Sequence, residues 1–393
     1  QMLELGSQLT LIEAKATPIF EHSQALASAI KVGVQNAGNA VGLAHRRGER
    51  THTTRVRNGY LGRRQSVEKT GRAMAKAFQI LPQLGTVELK IRRYSGIKND
   101  AIAMPLSDAA MLQHQFLNTN GIRLHYVTQG QGPLLLLLHG FPEFWYTWRH
   151  QIPVFAEHFT VVALDLRGYN DSDKPTDISA YTLSELGKDI AGVITALGYD
   201  QCYLVGHDWG GAIAWHVAYT YPDQVAKLIV LNCPHPRRFL DGFADPGQWL
   251  RSAYIGFFQL PWLPEWVLQA DDYQFIDRVF DQLAVNRSAI TATDIQTFKT
   301  ALARPGALAA SLNYYRNLLS PSLLQQTWPV LEVPTLMIWG EDDPVFDSSL
   351  AIATEEHVRE FHLRYIDQCG HWVPQEYPEL VNQYMGEFLG VSV

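Results

Sequence analysis

From about residue 113 onward, short apolar runs alternate with longer stretches in which apolar and polar positions mix. Leu134 to Leu138 is five consecutive Leu, bounded by Gly-Pro and His-Gly. A run that apolar and that short predicts a strand buried on both faces of a parallel sheet. Upstream, His114 to Leu117 and Ile122 to Val127 predict a hairpin around Asn118-Thr119-Asn120-Gly121. Cys202 to Val205, Lys227 to Asn232, Thr335 to Gly340 and Phe361 to Ile366 predict further strands, and Gly211 to Ala218 predicts a helix directly after the first of these. The stretch from about Arg237 to Thr327 is helix-like and rich in aromatic residues, and Val333 resumes the strand pattern.

The chemistry lies where apolar runs stop. Gly206-His207-Asp208-Trp209-Gly210 has the spacing Gly-x-nucleophile-x-Gly and sits between a predicted strand and a predicted helix. Such a turn aims one side chain at a helix N-terminus, where backbone N–H groups favour a negative charge. The middle residue here is Asp. A carboxylate is ionised at neutral pH and needs no base to become a nucleophile. It suits attack on saturated carbon, giving an ester that water must then cleave. An Asp that merely caps the helix would occupy the same position, so the partners decide. His371, in Cys369-Gly370-His371-Trp372 after the last strand, is the expected water-activating base. Glu341-Asp342-Asp343-Pro344 follows the Thr335 to Gly340 strand, and Asp343 is the expected acid that orients the imidazole, with Asp342 as the fallback. The loop His139-Gly140-Phe141-Pro142 offers the Phe141 N–H, which with the Trp209 N–H would form an oxyanion hole. The Phe141–Pro142 bond is a candidate for the cis form.

These motifs, together with Glu143, Trp148-Arg149, Gln151-Ile152-Pro153, Asp165-Leu166-Arg167-Gly168-Tyr169 and Gly211, resemble the α/β-hydrolase superfamily and, within it, the epoxide hydrolases. The resemblance covers roughly residues 112 to 390. It implies an α/β-hydrolase fold: a mostly parallel, doubly wound sheet of eight strands with an inserted helical cap. Core segments are then expected at 111–236 and 328–393, with the cap at 237–327. It also implies two cap tyrosines that hydrogen-bond an epoxide oxygen. Tyr254 and Tyr315 match them, with Tyr314 beside the second. Phe141, Trp209 and Trp372 are expected to contact substrate. The implied reaction converts a small apolar epoxide and water to a vicinal diol through a covalent ester on Asp208, with no cofactor and no metal. Haloalkane and haloacid dehalogenases use a similar Asp–His–Asp set. They are disfavoured by Phe141, by the Tyr pair, and by Trp209 and Ala212 where an anion-binding enzyme carries Arg. A ligand-binding receptor of this fold is a remoter alternative. A serine esterase is disfavoured because Gly-x-Ser-x-Gly does not occur.

Composition changes this picture only at the N-terminus. Residues 1–110 carry 16 Lys and Arg against 8 Asp and Glu, whereas the remainder carries 16 against 31. The basic pairs Arg46-Arg47, Arg63-Arg64 and Arg92-Arg93 are scattered, so a disordered or non-native extension is expected rather than a nucleic-acid surface. Met104 or Met111 would be a sensible start for the hydrolase. The three Cys residues are far apart and lack metal-ligand spacing. With no export signal, they favour a reducing, cytoplasmic setting. No apolar run approaches a membrane span.

Overall fold

The computed structural model describes residues 112–242, 245–318 and 327–393. The basic extension expected over residues 1–110 lies outside them.

Eight strands form one sheet: β1 (Gln113–Thr119), β2 (Ile122–Gln129), β3 (Leu134–Leu138), β4 (Thr160–Leu164), β5 (Cys202–His207), β6 (Val225–Leu231), β7 (Thr335–Gly340) and β8 (Phe361–Ile366). Their spatial order is β1-β2-β4-β3-β5-β6-β7-β8. The β1–β2 and β2–β4 pairs are antiparallel and every later pair is parallel. The hairpin closes with Thr119 opposite Ile122, through Asn120 and Gly121, both at positive φ. That is the Asn-Gly chemistry of a two-residue primed turn.

Burial along the sheet follows strand position. All five Leu of β3 and all six residues of β7 are buried, whereas β1 and β8, at the two edges, are largely not. Each fully buried Leu contributes roughly 1.5–3 kcal/mol relative to exposure. Helices cover both faces. In α1 (Leu183–Ala196), Leu186, Ile190, Val193 and Ile194 form one apolar stripe at helical spacing, and the Thr182 hydroxyl caps the first turn by accepting from Glu185 N–H. In α2 (Trp209–Thr220), eight of twelve residues are buried, as befits a helix packed against the sheet on one side and other elements on the rest.

Between β6 and β7 the chain is helical. After the short helices Pro236–Gly242 and Pro246–Arg251 come α3 (Ala253–Phe258), α4 (Leu263–Leu283), α5 (Ala292–Leu302) and α6 (Ala307–Asn317). α4 is interrupted at Ala270–Tyr273, where Asp271, Asp272 and Tyr273 have positive φ. α5 begins with a reciprocal capping box between Thr291 and Asp294. The chain ends on α7 (Pro378–Leu389), which buries Val381, Met385 and Leu389 and stops at Gly390, φ 81°. Among the described residues, no helix is long and apolar enough to cross a membrane.

Candidate active site

The loops that leave β3, β5, β6, β7 and β8 meet at the C-terminal edge of the sheet, where ligands bind in open α/β folds. β5 runs through His207 and turns at Asp208, which has φ 50° and ψ −119° and stands immediately before α2. A non-glycine residue rarely adopts such a conformation, and strain of this kind marks functional positions. Glycines permit it by allowing close approach. A Cβ on Gly210 would lie 2.2 Å from the Leu138 carbonyl oxygen, and one on Gly206 would lie 2.3 Å from that of Gly210. On the facing loop, a Cβ on Gly140 would meet the Asp208 side chain at 2.5 Å.

Five of the expected residues gather around Asp208. The Phe141 N–H donates to Oδ1 at 2.9 Å, and the Phe141–Pro142 bond is cis. His371 places Nε2 3.6 Å from Oδ2 of Asp208 and Nδ1 2.9 Å from Oδ2 of Asp343. Tyr254 and Tyr315 line the same cavity as Asp208, their rings 5.8 Å apart. Trp209 opens α2, so its N–H belongs to the helix end facing the carboxylate.

The structure separates each residue from its sequence neighbour. Asp343 is buried and its Oδ1 accepts from the N–H groups of Val345 and Phe346, while Asp342 is exposed. Tyr314 is fully buried and spends its hydroxyl on the Arg167 carbonyl at 2.6 Å, which leaves Tyr315 as the residue at the cavity.

Two residues expected to contact substrate lie outside the wall of this cavity. Trp372 is fully buried, packs on Phe280 with ring centroids 4.4 Å apart, and is not on the cavity wall. The base loop turns its ring inward beside His371, where it supports the imidazole edge-on. The Phe141 ring stacks on Phe275 and meets Tyr315 and Phe258 edge-on. The Phe141 backbone reaches the carboxylate, but its ring is absent from this cavity's wall.

Burial works against a charged His371, but Asp343 and Asp208 outweigh it and push its pKa up to about 10. Burial raises the Tyr315 phenol well above its ordinary value, as do Tyr254 and Asp208, with a hydrogen bond to Trp209 opposing. Burial, Asp208 and Asp343 raise that of Tyr254, against a hydrogen bond with Tyr315. Both phenols therefore keep their protons and remain donors.

The pattern of apolar runs did not reveal two supports. Asn232, buried at the end of β6, donates to Asp343 Oδ2 at 2.7 Å and to the Gly370 carbonyl at 3.0 Å, and accepts from Gly340 N–H. It joins the acid loop to the base loop. Its only sequence signal was a polar residue ending an apolar strand. The second support is the buried Glu143–His207 pair. His207 Nδ1 lies 2.8 Å from Glu143 Oε2, and Nε2 lies 2.9 Å from the His371 carbonyl oxygen. Both ring nitrogens face acceptor oxygens, one on the carboxylate and one on the base loop. Glu143 also accepts from Gly140 N–H, Gln375 and Thr147. Burial alone would raise its carboxyl, but His207 prevails and holds it near about 2.

The cavity encloses about 750 Å³ including its open mouth, and its wall is mostly apolar. Among the described residues, no cluster of three or more His, Cys, Asp or Glu is arranged to hold a metal ion.

Comparison with known proteins identifies the family. The alpha/beta hydrolase fold family matches residues 133–376. The chain is 45% identical over 280 residues to the AB hydrolase superfamily protein YfhM of Bacillus subtilis, covering 70% of this chain and 97% of that protein. It is 40% identical over 294 residues to human epoxide hydrolase 4, covering 72% of this chain and 81% of the relative. Among solved structures, the epoxide hydrolase of Bacillus megaterium in complex with an inhibitor superposes with a TM-score of 0.66 at 38% identity, covering 70% of this chain and 100% of that one. The chain therefore belongs to the α/β-hydrolase fold family and, within it, to the epoxide hydrolases.

Proposed function

We propose that this protein hydrolyses an epoxide to a vicinal diol through a covalent ester on Asp208. The observation that carries the reading is one buried carboxylate, held by the Phe141 N–H, that shares a cavity with two protonated phenols and lies within reach of a His–Asp pair.

Tyr254 and Tyr315 hold the epoxide oxygen. Asp208 attacks a ring carbon, the carbon–oxygen bond of the ring breaks, and the new alkoxide takes a proton from a phenol. Two donors are needed because an alkoxide is a poor leaving group. Esterification removes the negative charge of Asp208, and with it one of the two charges that favour a proton on His371. His371 is thereby released to act as a base. Oriented by Asp343, it takes a proton from water, and the hydroxide attacks the ester carbonyl. The N–H groups of Phe141 and Trp209 receive the negative charge, the diol leaves, and the proton on His371 restores the phenol. The helices between β6 and β7 serve as the cap that brings Tyr254 and Tyr315 to the core. Cys202, Cys233 and Cys369 are free and buried, in keeping with a reducing, cytoplasmic setting.

Dehalogenation would use the Trp209 indole as a halide donor, but here that side chain is engaged with Tyr315. The test is parallel turnover of a small aryl epoxide and a bromoalkane. Diol without halide is expected, and Tyr254→Phe/Tyr315→Phe should lose at least about 10²-fold in diol formation. Halide release without diol would overturn the reading.

A further inference from the structure

The cavity does not end at the catalytic groups. Asp208, Ala212 and His216 fall at four-residue spacing on one face of α2, and all three line it. At 1.5 Å per residue, His216 stands about 12 Å along the helix from Asp208. Leu183, Leu240, Leu318 and Trp328 also line the cavity.

Among the described residues, two buried nitrogen atoms on side chains of this wall have no hydrogen-bond partner: Nδ1 of His216 and Nε1 of Trp328. The Cδ2 and Nε2 edge of the His216 ring faces Gly187 of α1, and Nε2 has only a 3.5 Å contact with Thr220 Oγ1. Nδ1 lies on the opposite edge, away from α1. Trp328 is fixed by an edge contact with Tyr219, one helical turn along from His216. An unpaired polar atom in an apolar, buried setting carries a desolvation penalty unless an occupant supplies the partner. Two such atoms on the wall of a substrate cavity define what that occupant must offer.

Building on the epoxide-opening function, we propose that His216 and Trp328 form a polar subsite that recognises a neutral oxygen at the far end of an elongated apolar substrate arm. The indole N–H donates to that oxygen, and the imidazole completes the pair as donor or acceptor according to its tautomer. A carboxylate does not fit. No Lys or Arg is among the described residues of the wall, and burial lowers the pKa of His216, so the imidazole stays neutral. The substrate class is therefore an epoxide whose long alkyl arm carries a hydroxyl, ether or carbonyl oxygen.

The test measures kcat/KM of the full chain on 1,2-epoxydecane, 9,10-epoxydecan-1-ol and 9,10-epoxydecanoic acid, with 1,2-epoxybutane and 3,4-epoxybutan-1-ol as arms too short to reach the subsite. The ω-hydroxy decane derivative should exceed the plain alkyl by about fivefold to tenfold, the range of one or two net hydrogen bonds. The acid should fall below both, and the short pair should show no such preference. In His216→Phe and in Trp328→Phe, the hydroxy-to-alkyl ratio should drop towards one, while His216→Gln, which keeps a hydrogen-bonding group, should retain part of it. A ratio of one in the parent protein, or a ratio that survives both Phe substitutions, would overturn the subsite. Diol formation from none of these epoxides would instead overturn the proposed reaction itself.

Discussion

Each role proposed for the site falls on one residue position and not on its neighbour. Asp343 and Asp342 are adjacent carboxylates, yet only Asp343 is buried against His371 and fixed by Asn232 and two backbone N–H groups. Asp343→Asn should lower kcat by about 10⁴-fold, because the amide no longer holds the required tautomer. Asp342→Asn should stay within a factor of two or so of the parent, as exposed substitutions usually do. Equal losses in steady-state assays of the two variants would contradict this assignment. Tyr314 and Tyr315 divide the same way: one phenol is consumed by a backbone carbonyl and the other faces the nucleophile's cavity. The spacing of the sequence singled out Asp208, His371 and Asp343, and the fold brings these three side chains together. Trp372, expected at substrate, packs inward on Phe280, because a large aromatic next to the base reads alike whether it faces substrate or core. Asn232 and the Glu143–His207 pair escaped because their partners lie 111 and 64 residues away, beyond the reach of any local pattern.

At the level of elements, the site depends on how closely β3, β5 and α2 approach one another. The contact is made at Gly210, whose Cβ would fall 2.2 Å from the Leu138 carbonyl. Backbone cannot yield as a flexible side chain can, so Gly210→Ala should cost about 1–3 kcal/mol or more of stability. Urea unfolding should show a lower midpoint with an unchanged slope. An unchanged midpoint would mean that the turn is looser than the structure shows. Seven of the eight strands were legible because their signals are local, β4 being the one not read from the sequence: the Leu134–Leu138 run coincides with β3, and Thr335–Gly340 and Phe361–Ile366 coincide with β7 and β8. β5 runs two residues past its apolar segment, through Gly206 and His207, because pairing with β3 and β6 continues to the elbow. The interruption in α4 had no warning, since Ala270 to Tyr273 contains neither Gly nor Pro.

Across the whole molecule, loops separated by more than 200 residues are locked by one buried carboxylate. Glu143 touches the oxyanion loop through Gly140, the elbow through His207 and the C-terminal segment through Gln375. Its pKa in the folded protein, about 2, lies below the ordinary value of 4.5. A depressed carboxyl adds stability that is fully present above the ordinary value and is lost as pH falls towards the folded one. The stability gap between the parent and Glu143→Gln should therefore narrow as the pH is lowered from neutral towards about 2. A gap that stays constant would place the loss outside ionisation. All of this serves one chemical claim, that Asp208 becomes an ester. The most direct test is a single turnover of an epoxide in ¹⁸O-labelled water with enzyme in excess. The account predicts that the first diol carries only unlabelled oxygen, taken from Asp208, and that the label appears in the Asp208 peptide by mass spectrometry. Label in the first diol with an unlabelled Asp208 peptide would mean that water attacks the epoxide directly, and the covalent mechanism would be wrong.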